Sequence, residues 1–248
     1  MLKLNNLSLN YHSRKCETKA LNNLSFDVKD GEFVSLVGPS GCGKTTILSL
    51  IAGLIAPSSG EIVLNEENIT KPTTKVGYMF QRDNLFEWLT IFSNVTLGLS
   101  IQHNKTPELT SRAKDLLAKY GLGEFISRHP SELSGGMRQR VALIRTLATN
   151  PEILLLDEPF SALDYQTRLM VQDDVYSIIR NENKTAILVT HDISEAVSLS
   201  DRVIILSPRP GSVKKIITLD FDKSISPFER RKLPEFNSYF NTIWEELA

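Results

Sequence analysis

The chain has 248 residues, 41% hydrophobic and 23% charged, which gives it the composition of a folded protein and room for one large domain or two small ones. Its 28 basic and 29 acidic side chains leave a net charge of -1, so general attraction to nucleic acid or to an anionic membrane is excluded, and no dense basic run supplies a local patch. Cys16 and Cys42 show no CxxC or Cys/His spacing, so neither a disulfide framework nor a zinc site is expected.

The opening stretch "MLKLNNLSLNYHSRK" alternates apolar and polar residues like a strand and lacks the continuous apolar core of a signal peptide. "LKLNNLSL" and "LNNLSFDV" read as half-buried strands, and "GEFVSLV" as a third that leads into a glycine-rich loop. Helical periodicity follows in "TTILSLIAGL" and is ended by the turn residues "PSSG" at 57–60. Residues 61–80 are strand-like again. From about Asn84 to Ala148 the pattern is helical, with Thr106 and Pro107 as a cap and first-turn pair.

Within that helical stretch, "LSGGMRQR" from Leu133 to Arg140 begins a helix whose apolar side is Met137, Val141, Ile144 and Ala148. Two glycines inside a helix cost roughly 1 kcal/mol each, so their presence at its start asks for a reason. Either Ser134 caps the helix and the glycines open the turn, or the first turn must let something approach the backbone.

After Pro151 the strands become continuous apolar runs, "EILLLD", "TAILVT" and "RVIILS", separated by helical stretches at about 164–182 and 192–199. Runs of this kind signal a parallel sheet covered on both faces. The tail from Pro234 carries Phe236, Tyr239, Phe240, Ile243, Trp244 and Leu247 on one helical stripe, suited to packing on the domain or to a partner. The longest aliphatic runs, such as "ILLL" at 153–156 and "VIIL" at 203–206, are too short to cross a bilayer. A cytoplasmic chain is expected, with any membrane role exercised through a partner.

"GPSGCGKT", Gly38 to Thr45, fits GxxxxGK[ST] and lies between a strand and a helix, the context in which that pattern binds phosphates. Gly38, Gly41 and Gly43 let successive amides point at the phosphates, helped by the positive end of the helix. Lys44 reaches the β and γ phosphates and the Thr45 hydroxyl ligates Mg²⁺. The nucleotide-binding set is then Gly38, Pro39, Ser40, Gly41, Cys42, Gly43, Lys44, Thr45 and Thr46.

Asp157 and Glu158 end the buried run "ILLLDE". Asp157 suits Mg²⁺ held through its water shell, and Glu158 suits a base that polarises the attacking water; the same pair could also cap the next helix. Gln81 closes "KVGYMFQ" and His191 closes "TAILVTHD", so both emerge at the carboxyl edge of the sheet, where open α/β sheets bind ligands. Taken alone, either residue is more often structural, and His191 could be a satisfied core histidine, but its strand-end position favours a contact with a γ-phosphate.

With these elements in order, the chain resembles the ATP-binding cassette (ABC) ATPases over nearly its whole length. "LSGGM" at 133–137 matches the family's signature, "ILLLDE" its metal strand, "SALD" at 161–164 its dimer-contact loop, and Gln81 and His191 its glutamine and histidine loops. The resemblance implies an α/β fold: a P-loop NTPase core with a mixed sheet, an N-terminal antiparallel β subdomain and an inserted helical subdomain. It implies one domain over 1–248, with the helical signature subdomain at about 84–148 and a C-terminal helical tail at about 223–248. It also implies an Mg-dependent ATPase, with ATP and Mg²⁺ as cofactors. Glu158, His191 and Gln81 form its catalytic set, and Thr45, Gln81 and Asp157 surround the metal. Tyr11 matches the aromatic that stacks on adenine, although a surface or core tyrosine fits "LNY" as well. Two copies are implied to pair head to tail, so that Ser134, Gly135, Gly136 and Asp164 complete the nucleotide site of the partner.

The function implied is the energy-coupling subunit of a membrane transporter, peripheral on the cytoplasmic face of the membrane. Its partners are transmembrane permease subunits and, indirectly, a substrate-binding protein, with no nucleic acid. "NLFEWLTIFSNVTLGL", "LSPRPGSV" at 206–213 and the tail "RKLPEFNSYFNTIWEEL" resemble the branch that imports nitrate, sulfonates and taurine; Ser161 departs from it, glycine being more usual there. The resemblance sets Arg82 to Trp88 against the permease, whereas tryptophan by itself more often buries its ring. The alternative is a soluble cassette ATPase acting on DNA or ribosomes. Those of the DNA-repair type carry a long coiled-coil insertion and the ribosome-acting ones carry two cassettes, neither of which this sequence has.

Overall fold

Leucine spacing in the first two strands sets the first layer. The computed structural model describes residues 1–12 and 17–248, which leaves Cys16 outside the described residues; Cys42 is a buried free thiol. Strands β1 (Leu2–His12) and β2 (Glu17–Val28) pair antiparallel with Leu4 opposite Phe26. Leu2, Leu4, Leu7 and Leu9 are all buried, although the step from 4 to 7 should turn the strand over. A bulge absorbs the extra residue: the register shifts there, and Asn6 takes a left-handed φ of 48°. Asn23, at φ 47°, does the same between Leu21 and Leu24. Asparagine suits both places because it tolerates this conformation better than most residues.

β3 (Phe33–Val37) runs into the phosphate loop and α1 (Lys44–Ile51). This helix stops earlier than "PSSG" suggested. Gly53 adopts φ 69°, its amide bonds to Leu50 O and that of Leu54 to Ser49 O, the paired bonds of a glycine C-terminal cap. β4 (Ser59–Leu64) and β5 (Glu67–Asn68) complete an antiparallel sheet of order β2-β1-β4-β5.

A second sheet has the order β10-β9-β3-β8-β7-β6, formed with β6 (Val76–Met79), β7 (Ile153–Asp157), β8 (Thr185–Val189), β9 (Arg202–Leu206) and β10 (Val213–Thr218). All its pairings are parallel except β9 with β10. The apolar runs are explained by its two covered faces. Ile153 and Leu155 belong to the core shared with α1 and the first sheet, whereas Leu154 and Leu156 face the helices on the other side.

Those helices are α2 (Ile91–Ile101), α3 (Pro107–Lys119), α4 (Gly135–Ala148) and α5 (Tyr165–Asn181). Thr106 caps α3 with Pro107 in its first turn, as expected. The helical pattern anticipated from Asn84 starts only at Ile91, because residues 84–90 are held as a loop by side chains described below. α6 (Ile193–Leu199), α7 (Pro227–Arg230) and α8 (Pro234–Leu247) close the other end. Phe236 and Ile243 of α8 are buried with Val37, Ile193, Val203 and Ile205, so the tail packs on the domain. Trp244 is the exception on the stripe, 60% exposed and stacked on Phe240. Among the described residues, no helix is long and apolar enough to cross a membrane.

Candidate nucleotide site

The phosphate loop turns between β3 and α1 because its glycines permit what other residues would not, each for its own reason. Gly41 and Gly43 have φ of 75° and 106°, where a side chain would be strained. Gly38 has no such angle. A Cβ there would stand 2.8 Å from Cys42 Sγ and 3.1 Å from Leu206 Cβ, so this glycine is required by packing. Lys44 Nζ donates to Gly38 O at 2.7 Å and Pro39 O at 3.2 Å, folding the ammonium back over the loop. Ser40 and Gly41 are exposed, and Thr46 lies half-buried in the first turn of α1.

The edge beyond β6, β7 and β8 carries the rest. The Thr45 hydroxyl donates to Asp157 Oδ1 at 3.2 Å, and the Tyr78 hydroxyl to Asp157 Oδ2 at 3.0 Å. Burial pushes the Asp157 carboxyl up and the charge of Glu158 adds to this, against the opposing hydrogen bonds of Tyr78 and Thr45. Burial, then the nearby Asp157 charge, also raises the Tyr78 phenol, which keeps it a donor. A partly buried carboxylate beside a hydroxyl is a hard oxygen pair that a small divalent cation would relieve. No cluster of three or more metal-ligating side chains occurs among the described residues. Two protein oxygens suit a cation that keeps waters and takes phosphate oxygens as its other ligands.

Glu158 has φ 46°, an uncommon conformation for a residue with a side chain, and its amide bonds to Val189 O at 2.9 Å. Its two carboxylate oxygens have different neighbours. His191 Nδ1 stands 3.2 Å from Oε1, and Gln81 Nε2 donates to Oε2 at 3.4 Å. His191 is largely exposed, so it is not a core histidine. Gln81 Nε2 also donates to Ser161 Oγ at 3.2 Å, and Ser161 Oγ donates to Glu158 O at 3.0 Å. Neighbouring carboxylates do not serve as a helix cap here: the next helix, α5, is capped by Asp164, which accepts from Thr167 N at 3.1 Å.

The structure thus gathers Lys44, Thr45, Gln81, Asp157, Glu158 and His191. It does not join Ser134, Gly135, Gly136 or Asp164 to them by any hydrogen bond among the described residues; these four line a separate groove with Leu163 and Thr167. Ser134 caps α4, accepting from Met137 N at 3.3 Å. The two glycines differ. A Cβ on Gly136 would meet Val171 Cγ2 at 2.9 Å, so Gly136 lets α4 pack on α5, whereas Gly135 is exposed. Tyr11 is 48% exposed at the end of β1.

Several functional contacts were not visible in the sequence. Tyr78 pairs in register with Leu155, which sets it on the face that Asp157 shares, a relation that only strand register reveals. Asn94, fully buried on α2, donates to Phe86 O, Leu89 O and Thr90 O and accepts from Phe86 N. Arg138 of α4 binds Asp83 at 2.9 and 3.1 Å and Glu87 at 2.7 Å, and Arg145 donates to Asp83 O and Asn84 O. Burial raises the Asp83 carboxyl, but hydrogen bonds from Arg138 and the Leu85 amide outweigh it and leave the pKa below the usual carboxylate value. This framework fixes the loop after Gln81 and presents Trp88, 73% exposed and against Phe86, to solvent. The buried-aromatic expectation for Trp88 is therefore overturned.

Residues 21–161 match the family described as "ABC transporter". The chain is 46% identical over 247 residues to the "Uncharacterized ABC transporter ATP-binding protein YtlC" of Bacillus subtilis, covering 99% of this chain and 95% of that one. It is 41% identical over 252 residues to the "Taurine import ATP-binding protein TauB" of Roseobacter denitrificans, covering 98% and 94%. A solved dimeric structure of a post-hydrolysis state of the ATP-binding cassette MJ0796, bound to ADP and Pi, superposes with a TM-score of 0.74 at 33% identity, covering 90% of this chain and 100% of that one. The chain belongs to the ABC transporter family, as one of its ATP-binding, ATP-hydrolysing cassettes.

Proposed function

We propose that this cassette is the energy-coupling subunit of a membrane importer of small anions such as nitrate, sulfonates or taurine, acting as a head-to-tail pair on the cytoplasmic face of the membrane. The observation that carries the catalytic part is the convergence of His191 and Gln81 on the two oxygens of Glu158, next to the Thr45 and Asp157 pair. Residues 1–248 are read as one ABC ATPase domain, with 84–148 as its helical signature subdomain and 223–248 as its tail.

On nucleotide binding, Lys44 exchanges the carbonyls of Gly38 and Pro39 for phosphate oxygens, and the amides of the loop accept the remaining negative charge. Thr45 and Asp157, with Gln81 nearby, are the residues to hold Mg²⁺, which when bound supplies charge neutralisation to the phosphates. Glu158 orients the attacking water and takes its proton; His191 and Gln81 hold the carboxylate and face the γ-phosphate. Tyr11 offers its exposed ring to the adenine base.

The second copy supplies the amides at the start of its α4, with Ser134 and the open Gly135 nearest and Gly136 securing the turn against α5. Unobstructed amides and the helix dipole favour an anion there. Asp164 contributes by fixing the loop from Ser161 to Asp164 through its cap on α5. Trp88 and Phe86 form an aromatic pair on a braced loop, which supports a permease partner; the substrate-binding protein is reached only through that permease.

The test is two measurements on the native protein. Purified chain should hydrolyse ATP only with Mg²⁺, and the protein purified from its source membrane should bring a multi-spanning subunit with it. Purification with DNA or ribosomes and without such a subunit would overturn the transporter reading in favour of a soluble switch.

A further inference from the structure

A buried run of polar side chains leads from the residues flanking His191 to the C-terminal segment, and the nucleotide chemistry leaves it unused. Thr190 is 1% exposed, Glu195 4% and Gln172 1%. The Thr190 hydroxyl donates to Glu195 Oε2 at 2.6 Å and accepts from Asp192 N at 3.0 Å, so both neighbours of His191 are pinned through one oxygen atom. Asp192 Oδ1 accepts from Ser194 N at 2.7 Å and Glu195 N at 3.3 Å, capping α6. Gln172 of α5 donates through Nε2 to Glu195 Oε1 at 3.0 Å, and its Oε1 accepts from Arg231 Nη2 at 2.8 Å. Arg231 follows α7, and the same Nη2 also reaches Ser198 Oγ at 3.2 Å.

Each link has a defined direction. Glu195 accepts at both oxygens, and Gln172 donates to it with one end and accepts with the other. Reversing the Gln172 amide would set oxygen against the carboxylate and NH₂ against the guanidinium, so Arg231 fixes its orientation. A buried polar group that loses its partner costs more than the hydrogen bond itself gained, so displacing any member disturbs the next.

We propose that Glu195 and Gln172 are positioning residues for His191, and that Arg231 of the C-terminal segment completes the set, so that the geometry of the His191 turn depends on how that segment is docked. This rests on the reading that His191 faces the γ-phosphate.

The test uses the full chain with Gln172→Met, Arg231→Met, Arg231→Lys and, as reference, His191→Ala. Steady-state Mg-ATPase is combined with ¹H–¹³C spectra of the histidine ring Cε1 positions; the chain has 4 histidines, and His191 is assigned by its loss in His191→Ala. Gln172→Met and Arg231→Met should lower kcat about tenfold with KM for ATP nearly unchanged, as expected for neighbours coupled through one network. Both should shift the His191 resonance and leave that of His103 in place, and Arg231→Lys should recover part of kcat. Folded variants with wild-type kcat and an unmoved His191 resonance would overturn the proposal. So would a lower Tm and a smaller active fraction without that shift. Should Gln172→Met not fold, Arg231→Met, at a partly exposed position, carries the same comparison. A His191→Ala protein that turns over normally defeats the γ-phosphate reading instead, while the spectra still report whether Gln172 and Arg231 position the ring.

Discussion

His191 Nδ1 lies 3.2 Å from Glu158 Oε1, on turns that follow two adjacent parallel strands, β8 and β7. With Gln81 on the other oxygen, the carboxylate is held from both sides at the sheet edge where the phosphate loop opens. A group gripped in this way keeps its position.

Glu158→Gln preserves that shape and removes the base. Mg-ATP binding should persist while kcat falls between about a hundredfold and ten-thousandfold, the usual share of a general base. ATP should then accumulate a dimer measurable by size-exclusion chromatography. Phosphate release near the wild-type rate from the variant would assign the base elsewhere.

Asp157 gives a prediction of opposite sign for stability. Its folded pKa is raised, by burial first, above the ordinary value of 3.8. The favourable contribution of the protonated form is present below that value and is lost as pH rises through the folded pKa. At neutral pH the ionised carboxylate therefore weighs against the nucleotide-free fold. Asp157→Asn, which can still accept from Tyr78, should raise the Tm of the nucleotide-free protein, by about 2–4 °C for each kcal/mol relieved. It should also abolish the extra thermal stabilisation that Mg²⁺ adds to ATP. A lower Tm together with an intact Mg²⁺ effect would count against this account of the site.

Much of this site was legible in the sequence, and the reason is local. The phosphate loop, "ILLLDE" and the strand ends at Gln81 and His191 each join a short pattern to a strand terminus, and the continuous apolar runs require a sheet covered on both faces. What escaped depends on register or on contacts between distant segments. Tyr78 meets Asp157 only because β6 pairs with β7 as it does, and the loop after Gln81 is shaped by Asn94, Arg138 and Arg145, distant in sequence, acting on its Asp83 and Glu87 side chains and its backbone. The glycines of the phosphate loop and of "LSGG" looked alike in the sequence but divide in the structure. Gly41 serves backbone conformation alone, Gly43 both conformation and a close approach to Leu21, while Gly38 and Gly136 serve close packing.

Shared sites in a head-to-tail dimer can be tested by complementation. Gly135→Asp retains the Ser134 cap, places its Cβ 3.3 Å from the end of the Leu163 side chain, and sets a negative charge where a phosphate should approach. Lys44→Ala damages the other half of the site. Each variant alone should be nearly inactive. An equal mixture can form a heterodimer in which one site carries both lesions and the other neither, so ATPase activity should return. Crosslinked heterodimers that hydrolyse no more than the sum of the separate variants would show that the Gly135 turn does not act on the partner's nucleotide.

Trp88 decides whether the loop after Gln81 is a docking surface. It is 73% exposed and meets Phe86 at 4.9 Å between ring centroids. The loop around it is braced by Asn94 from beneath and by Arg138 through Asp83 and Glu87, so its shape does not depend on the indole. Removing an exposed side chain of this kind changes stability by no more than about 0.5 kcal/mol, and Trp88→Ala should melt within about 2 °C of the wild type with its nucleotide affinity unchanged. An aromatic anchor seated in a partner's pocket contributes more than about 2 kcal/mol, equivalent to roughly thirtyfold in affinity. Assembly with the membrane subunit should weaken by at least that factor, and ATP hydrolysis should no longer respond to transport substrate. Asn94→Ala is the contrasting variant: it empties a buried hydrogen-bonded position, so it should lower the Tm of the isolated subunit and loosen the loop together with its tryptophan. If Trp88→Ala also melts far below the wild type, or if it assembles with the membrane subunit at unchanged affinity, the permease contact must lie on another surface.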